Sequence, residues 1–292
     1  MCNDRTAEQN EAWLKRKGLL SRRDFAKIGL GASFVSMLPA MADPLGVTET
    51  DVIITTPDGE ADCYFVHPSE GAHAAVIIWP DITGLRPALR MMGKRLAQSG
   101  YAVLVVNPYY RSVTAPIVVP GETFADPAVR ERVVPYYRTL TPETNITDAH
   151  AFATWLDAQD VVSTSRPMGT MGYCMGGPMT FRTAATLPGR IGAGASFHGG
   201  GLVTDAENSP HTLIPEMNAA FLVAIAENDD EEQPEAKTVL DETFSDNMIF
   251  AEVEVYADAM HGWCPPDSLV YNEEQAEHAW SRLLVLFDRH LA

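Results

Sequence analysis

The sequence predicts an α/β fold, a mainly parallel central sheet with helices on both faces, and three observations carry that prediction. Residues 74–79 and 101–106 are continuous apolar runs, the pattern of strands buried on both faces. Strand-like and helix-like segments alternate from residue 74 to the end, the rhythm of a parallel sheet with crossover helices. At residues 172–177, GYCMGG, a short apolar strand meets a helix through a tight glycine turn. Ligand sites in such sheets lie at the carboxyl ends of strands, where turns of this kind fall.

Taken in order, residues 51–56 and 61–67 alternate around Asp58-Gly59 and predict a hairpin. The buried strand 74–79 leads through a loop at 80–84 to a helix over 86–99. Leu89, Met92 and Leu96 share one face of that helix and Gly100 stops it. After the strand 101–106 the rhythm breaks. Residues 108–147 are rich in proline and aromatics, with one helix over 126–139 interrupted by Pro135, and are expected to form a cap or wall over a site. A helix over 146–158 opens on Asp148. The strand 167–172 enters the glycine turn, and Leu187-Pro188-Gly189 closes the helix that follows. A strand at 191–197 ends at His198, and one at 219–226 enters an acidic loop. A helix at 234–244, a strand at 250–256 and a C-terminal helix at 273–290 complete the chain, the last with Trp280, Leu283, Leu284 and Phe287 at helical spacing.

Composition narrows the function. The 292 residues are 46% hydrophobic and 21% charged, ordinary for a globular protein, and carry a net charge of −18. Residues 1–42 hold seven of the 21 basic and four of the 39 acidic residues, so the remainder carries −21. Such a body repels nucleic acid and anionic membranes, which leaves a small-molecule substrate. In residues 1–42, Arg22-Arg23 with Phe25 and Lys27 precedes an apolar run over 28–38 and an A-x-A site ending at Ala42. That order predicts a twin-arginine export signal, too short to anchor in a membrane, recognised by the twin-arginine machinery. Residues 43–292 are then one periplasmic domain. An amphipathic N-terminal helix packed on the domain is the competing reading of the same stretch. Removing the leader leaves Cys63, Cys174 and Cys264, and a free Cys174 beside a Cys63–Cys264 bridge would satisfy the count. No C-x-x-C or H-x-x-x-H spacing suggests a metal site.

The glycine turn places Cys174 where a strained strand-to-helix corner presents a nucleophile, flanked by Gly172 and Gly176. The amide of Met175, at the helix start, is free to donate to an oxyanion, and the amide of Ile82, in the loop after the first buried strand, is the second candidate donor. His261 follows the last strand in the chain order nucleophile, acid, histidine and is the candidate general base. The acid comes from residues 227–230; Asp229 is preferred and Asp230 is the alternative. His198, at a strand end, and Trp263, next to the histidine loop, are the candidate pocket-lining side chains.

WPDITGL at 79–85, VVNPYYR at 105–111, GYCMGG at 172–177, AENDD at 226–230 and MHGW at 260–263 stand in that order. Together they resemble the dienelactone hydrolase family of the α/β-hydrolase fold, from about residue 50 to the end. The resemblance implies a Cys174–His261–Asp229 triad that hydrolyses an ester or enol-lactone through a thioester, without metal or organic cofactor. It also implies that Asp81, where the family usually has glutamate, modulates the nucleophile, and that Arg111 binds a substrate carboxylate. The family's second arginine, a few residues after the histidine, is replaced here by Trp263-Cys264-Pro265-Pro266. A thioesterase or small-peptide hydrolase would use the same triad, and a non-catalytic redox sensor would keep the fold with Cys174 as an oxidisable thiol.

Overall fold

A computed structural model describes residues 4–18, 38, 39, 41 and 43–292. The Asp58-Gly59 turn joins β1 (Val47–Thr56) to β2 (Gly59–Pro68) as an antiparallel hairpin, and β2 lies antiparallel on β4 (Ala102–Val105). All further pairings are parallel, through β3 (Ala75–Trp79), β5 (Met168–Tyr173), β6 (Ile191–Phe197), β7 (Ala220–Ala226) and β8 (Ala251–Tyr256). The sheet order is β1-β2-β4-β3-β5-β6-β7-β8. The chain therefore turns left from β3 to β4 and then returns to place β5 on the other side of β3. That reversal opens a crevice at the carboxyl ends of β3 and β5, where open α/β sheets bind ligands.

The continuous apolar strands feed two core layers, because successive side chains point to opposite faces. Ile77 and Trp79 of β3 pack with Phe152, Phe181 and Phe244 on one face. Those side chains come from α4 (Pro142–Asp157), α5 (Gly176–Thr186) and α7 (Ala236–Asp246). Val76 and Ile78 pack on the other with Leu89, Leu283 and Phe287, from α2 (Pro87–Gln98) and α8 (Glu273–His290). Each of these fully buried side chains contributes about 1.5–3 kcal/mol relative to exposure. The two further thiols fall in different layers, Cys63 in the first and Cys264 in the second, and both are free. The sheet between them rules out the bridge that the cysteine count allowed.

The long segment folds more than its composition suggests. α3 (Pro127–Tyr137) is capped by Asp126 and ends two residues after Pro135. α4 begins at Pro142, four residues before the expected start. Thr141 and Thr144 each accept from the other's backbone amide there, a reciprocal capping box. Asp148 thus lies inside the helix. The acidic stretch expected as a loop is a short helix, α6 (Glu227–Glu232), with three carboxylates in its first turn, and Pro210–Glu216 adds a 3-10 helix.

At the N-terminus α1 (Asp4–Arg16) packs on the domain, its Trp13 only 4% exposed against Met260 and Val270. The twin-arginine pair Arg22-Arg23, the apolar run from residue 28 to 37 and Ala42 lie outside the described residues.

Candidate active site

Residues after β3, β5, β7 and β8 converge on the crevice. The corner after β5 holds Cys174 at φ +52°, a left-handed backbone uncommon for a residue with a side chain. Glycine is required beside it: a Cβ on Gly172 would lie 2.1 Å from the Gly176 carbonyl oxygen, and one on Gly176 would lie 2.2 Å from that of Trp79. The corner can close only against bare backbone, and it sets the buried Cys174 on the cavity wall just before α5.

His261, buried at 2% exposure, brings Nε2 to 3.1 Å from Cys174 Sγ. Its Nδ1 meets Asp229 Oδ2 at 2.8 Å and Oδ1 at 2.9 Å. Burial alone disfavours the imidazolium, but the charges of Asp229 and Cys174 beside it outweigh that and raise the His261 pKa to about 10. Asp230 instead pairs with Lys237 at 2.7 Å, which leaves Asp229 as the partner of the ring. The arrangement can move a proton from Sγ to Nε2 while Asp229 holds the opposite nitrogen.

Asn228, unmarked by the sequence reading, sets the histidine loop. Its Oδ1 accepts from the His261 amide at 2.7 Å and its Nδ2 donates to Gln9 Oε1 of α1 at 3.0 Å. Asn10 donates to the His261 carbonyl at 3.4 Å, and Trp13 Nε1 to Asp258 at 3.0 Å. Residues far from the site in sequence thus brace its histidine.

Ile82 and Met175 both line the cavity with Cys174, and neither backbone N–H has a partner among the described residues. The Ile82 peptide is held from the other side by Tyr109, whose hydroxyl donates to the Ile82 carbonyl at 2.8 Å.

Four expected roles do not match the geometry. Asp81 does not present a free carboxylate to the sulfur: both oxygens accept from Arg86 at 2.9 Å, and Oδ1 also accepts from the Thr83 amide. Arg86, which also meets Asp267 at 2.7 Å, makes Asp81 an anchor of the Ile82 loop. Arg111 is not on the cavity wall, because its guanidinium is taken up by Asp58 and the buried Asp148, each at 2.7 Å. His198 and Trp263 are buried behind the triad rather than in the pocket. The His198 ring lies edge-on to both His261 and Trp263 at 5.1 Å, and Trp263 stacks on Tyr256. Burial lowers the His198 pKa, with the nearby Cys174 sulfur acting in the opposite direction.

The cavity before Cys174 measures about 380 Å3. Its walls come from α3, α4 and α5 and from the residues around 200–210, so the long segment does form a wall. Asn145 and Arg182 also face it, on helical positions that no sequence motif distinguishes from surface residues.

A mainly parallel sheet with a strained cysteine corner at its switch point, facing a histidine and an acid that follow later strands, defines an α/β-hydrolase. The model of the dienelactone hydrolase family matches residues 61–291, and the chain belongs to that family. A Salmonella typhi protein provisionally named a carboxymethylenebutenolidase is 26% identical over 270 residues, covering 85% of this chain and 94% of its own length. The carboxymethylenebutenolidase of Pseudomonas putida is 23% identical, covering 74% and 86%. A crystal structure of a Klebsiella pneumoniae protein provisionally named a dienelactone hydrolase superposes with a TM-score of 0.72 at 22% identity, covering 84% of this chain and all of that one. Family membership makes this chain a hydrolase acting on ester or lactone bonds.

Proposed function

We propose that the protein hydrolyses a carboxylic ester or enol-lactone with Cys174 as the nucleophile. The observation that carries this reading is the continuous relay from Cys174 Sγ through His261 to Asp229, at 3.1 and 2.8 Å. His261 Nε2 takes the Sγ proton, and the sulfur attacks the carbonyl carbon of the substrate. The amides of Met175 and Ile82 receive the negative charge that develops on the carbonyl oxygen, with the start of α5 adding its dipole. Collapse breaks the bond to the alcohol oxygen, which leaves with the proton from Nε2, and an acyl thioester remains. Water then attacks the thioester, giving its proton to Nε2, and the second collapse releases the acid and restores the thiol. Asp229 fixes the tautomer and stabilises the imidazolium in both halves.

We further infer export through the twin-arginine machinery and a periplasmic location, on the strength of Arg22-Arg23, the apolar run and the small-residue site before Asp43. Among the described residues no helix is long and apolar enough to cross a membrane.

The test is steady-state hydrolysis of p-nitrophenyl acetate, a neutral lactone and an anionic enol-lactone by wild type and Cys174→Ala. Turnover of at least one, lost in the variant, is the expected result. Equal turnover by both proteins would remove Cys174 from the nucleophile role.

A further inference from the structure

The wall of the cavity is largely apolar, with Ile82, Val134, Leu140, Met175 and Met179 suited to hydrocarbon. Among its polar side chains, two hold buried atoms with no hydrogen-bond partner among the described residues. Asn145, in the first turn of α4, is only 3% exposed, yet neither its Nδ2 nor its Oδ1 has a partner among the described residues. An unsatisfied buried amide costs about 1–3 kcal/mol, and native proteins keep few of them.

Arg182, half-buried, lies two turns along α5 from the corner. Its Nε is buried without a partner, and no carboxylate lies within ion-pair distance among the described residues. Burial lowers its pKa, with Glu143 and Tyr137 acting against that only through space. Arg86, Arg95, Arg111 and Arg190 each meet an aspartate or glutamate at 2.9 Å or less, as expected in a chain of net charge −18. Arg182 is left facing the cavity instead.

We propose that Asn145 and Arg182 form a recognition subsite for a substrate acid that carries a hydroxyl beside a carboxylate. An asparagine side chain offers one acceptor and one donor face, which a hydroxyl answers with its own donor and lone pair. The guanidinium calls for an anionic oxygen, and it holds a carboxylate best when no protein carboxylate competes. The apolar wall takes the rest of the molecule. Both residues sit on the cavity that also exposes Cys174, so they determine specificity rather than chemistry. This inference rests on the cavity being the substrate pocket of the proposed hydrolase.

Binding tests it without turnover. Cys174→Ala is titrated calorimetrically with mandelate, which has the ring, the hydroxyl and the carboxylate. Phenylacetate lacks the hydroxyl and mandelamide lacks the charge. Mandelate is expected to bind most tightly, with each omission weakening binding about ten-fold. Adding Asn145→Leu is expected to make mandelate and phenylacetate equal, and adding Arg182→Gln to erase the preference over mandelamide. Equal binding of all three probes, no binding, or discrimination that survives both substitutions would overturn the subsite. Thermal stability supplies a second readout. Asn145→Leu replaces an unpartnered amide with a hydrocarbon of similar size and is expected to raise Tm, whereas a fall in Tm would make Asn145 structural and overturn its recognition role. A protein that binds mandelate in this order but hydrolyses no ester would contradict the proposed reaction alone.

Discussion

Arg86 is buried between Asp81 and Asp267, and the carboxylates beside it hold its pKa above the ordinary value despite the cost of burial. Removing one member of such a cluster leaves the others charged and desolvated. Arg86→Met is therefore expected to destabilise the fold by about 3–5 kcal/mol in urea unfolding and, by loosening the Ile82 loop, to lower kcat more than it raises KM. An unchanged midpoint would mean the cluster carries no stability. Asp229 contacts the histidine rather than the substrate side of the site. Asp229→Asn should keep the fold and lower kcat on the order of 10³-fold or more, since an amide favours the wrong imidazole tautomer. Near-normal kcat in that variant would point to another carboxylate. Legibility divides along the same line at this scale. Cys174, His261 and Asp229 could be read because each follows a strand in a fixed chain order. The sequence could not reveal that Asp81 and Arg111 had found ion partners, because the Asp81–Arg86 pair depends on how the loop after β3 folds and Asp148 meets Arg111 only through tertiary packing. Asn145 and Arg182 escaped notice for a related reason. A polar side chain on a helix looks solvent-facing until the neighbouring helix is in place.

At the scale of elements, the alternation of apolar strands and amphipathic helices was sufficient to place the sheet, both helical layers and the corner before α5. The departures came where local capping or docking decided the outcome. The Thr141–Thr144 box starts α4 early, and in doing so carries Asn145 out of a loop and onto the cavity wall. Docking likewise decides α1, whose polar sequence gives little reason for burial until Trp13 meets Met260, Val270 and Asp258. Because α1 also touches His261 and Asn228, its loss should be felt at the site. Trp13→Ala is expected to destabilise the full-length chain by about 3 kcal/mol and to lower kcat, with limited proteolysis cutting first near residue 18. Wild-type stability and kcat would mean that α1 contributes nothing to the folded domain. Export with cleavage before Asp43 would remove this brace, so comparing the full-length and 43–292 proteins tests the same contact.

Over the whole molecule, stability should carry the imprint of the paired histidine. The His261 pKa is raised from the ordinary 6.5 to about 10 in the folded state, so folding binds protons more tightly. Its contribution is fully present below about pH 6.5 and is lost as pH rises through about 10. The difference in unfolding free energy between wild type and His261→Gln should therefore shrink steadily from pH 6 to pH 10, and a difference that is flat over this range would deny the charged pairing. The fold joins this buried charge pair to a strained corner, two unspent amides and a cavity, and the proposed reaction joins them through a covalent thioester. Mass analysis of the Cys174 peptide during turnover of p-nitrophenyl acetate, after rapid acid quench, tests that most directly. An acetyl group on Cys174 that decays as substrate is exhausted is the expected result. Sustained turnover with the Cys174 peptide unmodified, and persisting in Cys174→Ala, would contradict it.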